Sequence, residues 1–265
     1  LYVAAHGGGL RVYRLAESGK PELVKVTGGL GNAWKVALDV SGKRAFVADQ
    51  QLGLVVLDIT KPSEPSVVVA VPTTAPPRDV VFDARAQRVI LALGGGGVDL
   101  FDLPVAGGAA ATPTLNRTLA GRGSAQAVAV GDGILAVAAW NHLAVYDALS
   151  LAPLAMQRTR RAFEQDLGVA IVPGGVAAAG GAPAAPLIIV GEWEGLHTVA
   201  YRQGLVGPRL WIDDDIITLD PARPDAAVIV HNLGLLPLTV RELRSSDGAF
   251  TSSKTSLAIA PGGRD

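Results

Sequence analysis

The sequence predicts an all-β protein whose larger part is a β-propeller, and three observations lead to this fold class. Five similar segments begin at Leu1, Ala45, Val89, Ile134 and Leu187, each with an apolar run, a short turn and a second apolar run. Their starts lie 44, 44, 45 and 53 residues apart, and a period of roughly 40–50 residues is typical of propeller blades. The residues inside each unit alternate or are β-branched, as in strands, and helix signals are nearly absent.

The second unit shows the predicted blade most clearly. We expect four strands in it: Trp34–Asp39, Ala45–Ala48, Leu54–Ile59 and Ser66–Ala70. Pro62 and Pro65 fall between the last two strands, because proline cannot donate a hydrogen bond to a strand ladder. Four antiparallel strands make one blade, so this unit is predicted to be complete.

The third and fourth units repeat this order of strands. The third is predicted to contain Asp79–Phe82, Val89–Leu93, Val98–Leu103 and Leu115–Leu119, and the fourth Ala127–Val130, Ile134–Ala138, Leu143–Asp147 and Leu154–Arg158. The longer spacing before the fifth unit comes from Gly174–Pro186, a stretch rich in Gly, Ala and Pro that is expected to be a flexible loop. The best helix candidate, Arg158–Leu167, lies where two strands should join, so it is expected to form one turn at most.

The number of blades is open at this point, because the first unit lacks the inner strand that should precede Leu1. Five units lie at the low side of the usual range of about four to eight blades. The chain could be a piece of a six- or seven-bladed propeller, or a closed five-bladed ring whose chain ends share one blade. An open ring would leave unpaired strand edges, which favour pairing with another segment.

An acidic residue recurs near the end of the third strand in three units, as Asp58, Asp102 and Asp147. These residues could form a ring of ligands, or each could accept a hydrogen bond from a turn at the end of its strand. The second interpretation is favoured, because a repeated residue usually serves the repeat and a carboxylate accepts turn N–H groups well.

The stretch Gly53–Val69 (GLVVLDITKPSEPSVVV) resembles the LVIVD repeat, whose pattern is approximately G-L-x-V-x-D-I-S-x-P-x-x-P-x-x-V. Ser41–Asp49 is similar to that family's S-G-x-x-A-Y-V-A-D, and the first unit matches in Tyr2–Tyr13, without the Asp and the double proline. The resemblance implies a β-propeller, commonly in secreted or cell-surface bacterial proteins that bind or scaffold. It implies no catalytic residue.

The repeat spacing stops after Gly204, which divides the chain into a propeller part, 1–205, and a second part, 206–265. In the second part, Val228–Val230, Asn232, Gly234 and the Pro237-Leu238 pair resemble the opening of an Ig-like sandwich of the ASH (Hydin) type. A complete sandwich of this kind needs about 100 residues. We therefore expect an incomplete Ig-like β-sandwich.

Composition excludes several classes of function. The formal net charge is −1 and there is no basic stretch with stacking aromatics, so nucleic-acid binding is not expected. No apolar run reaches the roughly 18 residues of a transmembrane helix. Cysteine is absent, so disulfides, thiolate metal sites and a cysteine nucleophile are excluded. No signal peptide is visible and the chain opens on a strand without Met, which suggests a mature or cut fragment. A secreted, periplasmic or cell-surface location is what the resemblance to the LVIVD repeat implies.

No metal or cofactor site is expected from the sequence. The four histidines share no position in the repeat, so they suggest no symmetric metal ring: His6, His142, His197 and His231. The acidic run Asp213–Asp215 lacks the spaced carboxylates and distal Glu of a calcium loop, so a solvated turn is favoured. Asp213 and Asp215 could still form half of a cation site. No phosphate loop, dinucleotide fingerprint or serine-hydrolase elbow occurs.

One face of the predicted propeller carries the candidate binding residues. The turns between second and third strands share a face with the turns leading into each blade, and together they hold Gln50, Arg78, Trp140, His142, Glu192 and Trp193. Trp140 and Trp193 fall at matched positions in consecutive units, and exposed Trp and Arg are enriched at interfaces. The alternative is that both indoles pack over neighbouring blades.

These observations favour a non-enzymatic binding or scaffolding protein that presents this face to a protein partner. Two alternatives stay open. The chain could be a structural subunit of an extracellular assembly that pairs with its own copies through strand edges. It could also be a hydrolase or lyase with its site in the central funnel, since propellers host many chemistries.

Overall fold

A computed structural model describes residues 1–104, 112–119, 123–158, 166–176, 185–193, 195–201, 208, 210–212, 219, 224–232, 234, 236–245, 247 and 249–265. Every regular element in these ranges is a strand, and the strands pair antiparallel in seven sheets. Within the same ranges, no helix has the length and apolar character needed to cross a membrane.

Five of the sheets follow one another along the chain and correspond to the five predicted units. Blade 1 contains β1 (Tyr2–Ala4), β2 (Leu10–Leu15) and β3 (Pro21–Thr27). Blade 2 contains β4 (Ala33–Asp39), β5 (Arg44–Asp49), β6 (Gly53–Asp58) and β7 (Ser66–Val71). Blade 3 contains β8 (Asp79–Asp83), β9 (Arg88–Ala92), β10 (Val98–Asp102) and β11 (Thr114–Leu119). Blade 4 contains β12 (Ala125–Gly131), β13 (Ile134–Ala139), β14 (His142–Asp147) and β15 (Pro153–Arg158). Blade 5 contains β16 (Asp166–Val176), β17 (Ala185–Glu192) and β18 (Gly195–Ala200).

Blades 2, 3 and 4 have the four antiparallel strands predicted for them, in chain order across each sheet. Blade 1 has three strands, as expected from the missing inner strand. The stretch Gly174–Pro186 differs from the predicted flexible loop at both ends, because β16 continues to Val176 and pairs there with Ala185 at the start of β17. Its centre, 177–184, lies outside the described residues. The stretch 159–165, which makes up most of the helix candidate Arg158–Leu167, also lies outside the described residues. The two ends of that candidate belong to β15 and β16.

The second part of the chain contains two short strand pairs. One joins β19 (Leu210–Ile212) to β20 (Val230–Asn232), and the other joins β21 (Leu238–Val240) to β22 (Leu257–Ile259). The buried amide of Asn232 connects the pairs, since its Nδ2 donates to the carbonyl oxygens of Leu236 (2.8 Å) and Ile259 (3.0 Å). These pairs do not confirm the Ig-like sandwich, which stays a prediction.

The hydrophobic core of the five blades consists of separate clusters between successive blades, and a further small cluster of Val230, Leu238, Leu257 and Ile259 lies in the second part of the chain. Side chains of blades 1 and 2, 2 and 3, 3 and 4, and 4 and 5 each form one buried group. As a result, every residue of β5, β9 and β13 is buried, because these middle strands are covered on both faces. By contrast, β2 and β18 have a buried or half-buried residue alternating with exposed ones over much of their length, since blades 1 and 5 are covered on one face. The continuous apolar runs of the central units follow from this two-sided burial.

The recurring acidic residues serve the turns. The Asp58 carboxylate accepts the N–H of Thr60 at 2.7 Å, and Asp147 accepts the N–H groups of Leu149 and Ser150. Asp102 differs, because it pairs with the Arg88 guanidinium at 2.6 Å. The interpretation of a hydrogen bond to the adjoining turn is confirmed for Asp58 and Asp147, and for Asp102 an ion pair across neighbouring strands replaces it.

Asp49 is the most completely bonded carboxylate of the described chain segments. It is fully buried, and its two oxygens accept the N–H groups of Gly31, Asn32, Gln51 and Leu52 at 2.8–3.0 Å. Gly31 and Asn32 belong to the connection between blades 1 and 2, whereas Gln51 and Leu52 belong to the turn after β5. One side chain therefore fixes the path of the chain from one blade into the next.

We expect Asp49→Ala to lower the free energy of unfolding by roughly 3 kcal/mol, because several N–H donors would lose a charged acceptor in a buried position. The measurement is denaturant unfolding followed by tryptophan fluorescence. Asp58→Ala is the matched control, since that carboxylate is exposed and accepts one turn N–H from Thr60; its effect should be much smaller. Equal losses in the two variants would contradict the assigned role of Asp49.

Candidate functional site

Two sets of turns meet at one end of the blades. The turn after β1 bridges to the start of β4 through paired backbone hydrogen bonds between His6 and Ala33, and the turn after β9 bridges to the start of β12 through Gly94 and Ala125. The turns after β1, β5, β9, β13 and β17 and the segments leading into β4, β8 and β12 are called the loop face below.

Hydrogen bonds between side chains order part of the loop face. The Nδ2 of Asn32 donates to the Oε1 of Gln50 at 3.0 Å, which ties the segment before β4 to the turn after β5. The exposed Arg78 donates from Nη1 to the Oε1 of Gln126 at 3.1 Å, across blades 3 and 4. Gln50 and Arg78 were both predicted site residues, and each is held by a neighbour on the same face.

The two predicted indoles are exposed. Trp140 retains 41% and Trp193 75% of its possible exposed area, so packing over neighbouring blades does not bury them. Trp34, which precedes Lys35 on β4, is also exposed and makes an edge-to-face contact with the His6 ring, with centroids 5.1 Å apart.

His142 and Glu192 were predicted to be surface residues, but both are covered in the structure. His142 is 2% exposed, and its Nδ1 lies 2.8 Å from the Asn141 Oδ1. The reason is that the turn after β13 has only two residues, so His142 already pairs with Ala139 as the first residue of β14. Glu192 is largely covered, and its Oε1 lies 2.7 Å from the His197 Nδ1. Sequence reasoning missed this pair, because it joins two strands of blade 5.

The backbone at Trp140 adopts a conformation that favours glycine. Its φ is +45°, and the first turn residue after the second strand also has positive φ in blade 1 (His6, +49°) and blade 3 (Gly94, +58°). In a two-residue hairpin loop this position prefers Gly, and a bulky residue with positive φ costs on the order of 1–2 kcal/mol. The turn thus keeps an indole at a position where glycine would be less strained.

The innermost strands of four blades surround a central channel. A cavity of about 450 Å³ is lined by residues of β4, β8, β12 and β16. Two charged side chains lie there, Lys35 and Asp79, with the Lys35 Nζ 3.5 Å from the Asp79 Oδ1. The carboxylate also accepts the N–H of Val128 at 3.1 Å and that of Val80 at 2.9 Å, so it links the inner strands of blades 2, 3 and 4.

Burial raises the pKa of the Asp79 carboxyl, although the Lys35 charge and the hydrogen bonds from Val128 and Val80 oppose this effect. An unperturbed ionised carboxylate is strongly hydrated, and removing that water disfavours the charge. The ionised form of Asp79 therefore lowers the stability of the folded chain.

The described residues contain no group of three or more His, Asp or Glu side chains arranged to hold a metal ion. The two candidate cation ligands, Asp213 and Asp215, lie outside the described residues.

Comparison with known proteins supports the propeller. Residues 30–73 match the model of the LVIVD repeat family. The Cps50 (Swd1) β-propeller domain of Myceliophteria thermophila is 9% identical with a TM-score of 0.59, over 76% of this chain and 67% of that domain. A chain of the nidogen/laminin complex is 12% identical with a TM-score of 0.50, over 72% of this chain and 68% of the other. The predicted all-β propeller fold is confirmed by these similarities and by the four-stranded sheets.

A functionally unknown protein from Desulfotomaculum acetoxidans DSM 771 is 17% identical with a TM-score of 0.47, over 57% of this chain and 51% of that one. Comparison with curated proteins gave no match.

The raised pKa of Asp79 gives a pH dependence with a definite sign. An unfolded Asp titrates near pH ~3.9, so the folded chain holds this proton more tightly than the unfolded chain. The group then contributes stability that is complete below about pH 3.9 and is lost as the pH rises through the raised pKa. We expect Asp79→Asn to gain thermal stability relative to the wild type as the pH is raised from about 3.5 to 7.

Asp147→Asn is the control of opposite sign. Hydrogen bonds from the backbone and side chain of Ser150 lower the pKa of Asp147, so its contribution is present at neutral pH and is lost in acid. This variant should lose midpoint temperature relative to the wild type over the same pH rise. Trends of the same sign in the two variants would contradict the assignment for Asp79.

Proposed function

We propose that the protein is a non-enzymatic binding or scaffolding protein, and that its loop face binds a protein partner outside the cytoplasm, as a secreted, periplasmic or cell-surface protein. The observation that carries this proposal is the position of the tryptophans. Trp140 and Trp193 lie in turns of the loop face, Trp34 lies at the start of β4 in contact with His6 of that face, and these three of the four tryptophans keep 39–75% of their area exposed. Large exposed aromatics gathered on one face are typical of protein interfaces.

The strained turn at Trp140 supports the same function. Blade 3 uses Gly94 at this turn position and keeps the same positive φ, so the fold does not require a large side chain there. A residue that costs stability and keeps 41% of its area exposed suits a role outside the fold.

Hydrogen bonds between polar side chains of the loop face suit an interface as well. The Arg78–Gln126 and Asn32–Gln50 hydrogen bonds fix four side chains before any partner arrives, which reduces the entropy lost on binding. A chain with a similar fold takes part in the nidogen/laminin complex, so a propeller of this general architecture occurs in a protein–protein assembly.

The first experiment is to identify the partner. The protein would be cross-linked in its native cells and captured, and proteins recovered in near-stoichiometric amount would be purified and titrated against it. Fractionation of the same cells tests the location. A partner whose affinity is unchanged by Trp140→Ala together with Trp193→Ala would overturn the assignment of the loop face.

The sharper test separates the indole from the strain of its backbone. We expect Trp140→Ala and Trp140→Gly to weaken partner binding equally, by roughly 2 kcal/mol if Trp140 is an interface hot spot. Trp140→Gly should also be more stable than Trp140→Ala by about 1 kcal/mol, because glycine adopts positive φ without strain. Titration calorimetry and denaturant unfolding measure the two quantities.

Leu149→Ala is the control for that test, since Leu149 is an exposed apolar residue in the turn after β14, at the other end of blade 4. It should leave partner binding unchanged. A loss of binding as large as that of the Trp140 variants would show that the contact is not confined to the loop face.

A structural subunit is the second candidate, and the outer strand of blade 1 favours it. Leu23, Val24 and Val26 on β3 are exposed, and edge strands with apolar side chains pair readily with other chains. Light scattering distinguishes the candidates: growth of assemblies with concentration, prevented by Val24→Lys, would support the structural subunit.

A further inference from the structure

The central channel has features of a small-ligand site, separate from the loop-face surface around the indoles. Its volume of about 450 Å³ lies in the range of roughly 300–1,000 Å³ that ligand sites occupy. The four strands around it, β4, β8, β12 and β16, are each an edge of their sheet. Edge strands present backbone N–H and C=O groups that no neighbouring strand uses, so the channel wall offers donors and acceptors as well as valine side chains.

Asp79 is fixed in this channel and lines the cavity. Its side chain is 8% exposed, and the N–H groups of Val80 and Val128 hold its two oxygens from the protein side. The Lys35 ammonium is 3.5 Å away and its side chain is 59% exposed. A direct charge-assisted hydrogen bond measures about 2.7–2.9 Å, so Lys35 neutralises the carboxylate without occupying it fully.

The repeat itself shows that neither charge is needed to build a blade. Lys35, Asp79 and Ala127 stand at the same position of the inner strand in blades 2, 3 and 4, each opposite an alanine near the end of the second strand. Blade 4 packs between its neighbours with Ala127 at this position. The opposite charges in the other two blades are therefore an addition to the fold.

We propose that the mouth of the central channel binds a small zwitterion of the α-amino-acid class, with the ligand's ammonium on Asp79 and its carboxylate on Lys35. The fixed carboxylate orients the ammonium, and the exposed lysine side chain adjusts to the carboxylate. The rest of the ligand lies along the inner strands, where Val36, Val81 and Val128 line the cavity. This proposal is independent of the protein partner of the loop face.

The test uses the whole chain and the twenty L-amino acids, each added at up to about 10 mM, which covers millimolar affinities. Thermal shift identifies the binder, and titration calorimetry measures its affinity. We expect at least one amino acid to bind, and its decarboxylated amine and its deaminated acid to bind at least about ten-fold more weakly, because each lacks one charge. If no amino acid binds, the proposal is wrong.

Variants locate the site. Asp79→Asn and Lys35→Gln should each weaken binding about ten-fold or more, while Lys61→Gln and Asp58→Asn, which alter exposed charges away from the channel, should not. Circular dichroism of each variant checks that the blades remain folded. Binding that survives both channel substitutions, or an amine that binds as well as its amino acid, would overturn the zwitterion site.

Discussion

The whole molecule depends on the packing of blade against blade. No single blade buries its apolar residues alone, because each face needs the face of a neighbour, and the four buried clusters of the blades lie between successive blades. This constraint explains the sequence of the central units, where Phe46, Ile90 and Leu135 belong to strands without a solvent-facing side. Two regions contribute little to this packing between blades: the turns at the blade ends and the inner edges around the channel.

Buried carboxylates hold the connecting segments between blades, which the apolar packing does not fix. Asp49 binds the chain between blades 1 and 2, and the buried Asp99 accepts the N–H and hydroxyl of Thr74 between blades 2 and 3 as well as the Thr118 hydroxyl on β11. In a chain without cysteine, these polar contacts hold segments of the kind that disulfides fix in many small domains. Asp49, Asp99 and Asp147 thus each accept at least one backbone N–H group.

Local patterns were sufficient to predict the strands, the order within each blade and the role of Asp58 and Asp147, because these depend on residues close in sequence. The same patterns could not show that His142 is buried, since its burial follows from a turn one residue shorter than in blade 2. The same patterns could not predict the pair Lys35–Asp79 either, because 44 residues separate its members and only the packing of blade 2 beside blade 3 brings them together. Trp140 was identified as a candidate, but its backbone strain became visible only as a dihedral angle.

The one-sided packing of blade 1 has a mechanical consequence. Blades 2, 3 and 4 are held on both faces, whereas blade 1 is held by one apolar face, by the two backbone hydrogen bonds between His6 and Ala33, and by the hydrogen bond from the Tyr2 hydroxyl to the Pro62 carbonyl oxygen. A pulling force transmitted through blade 1 acts on this single interface before it reaches any other. Blade 1 then separates first and lengthens the chain while the remaining blades keep their shape, so a tether attached there extends under load before the binding surface is disturbed.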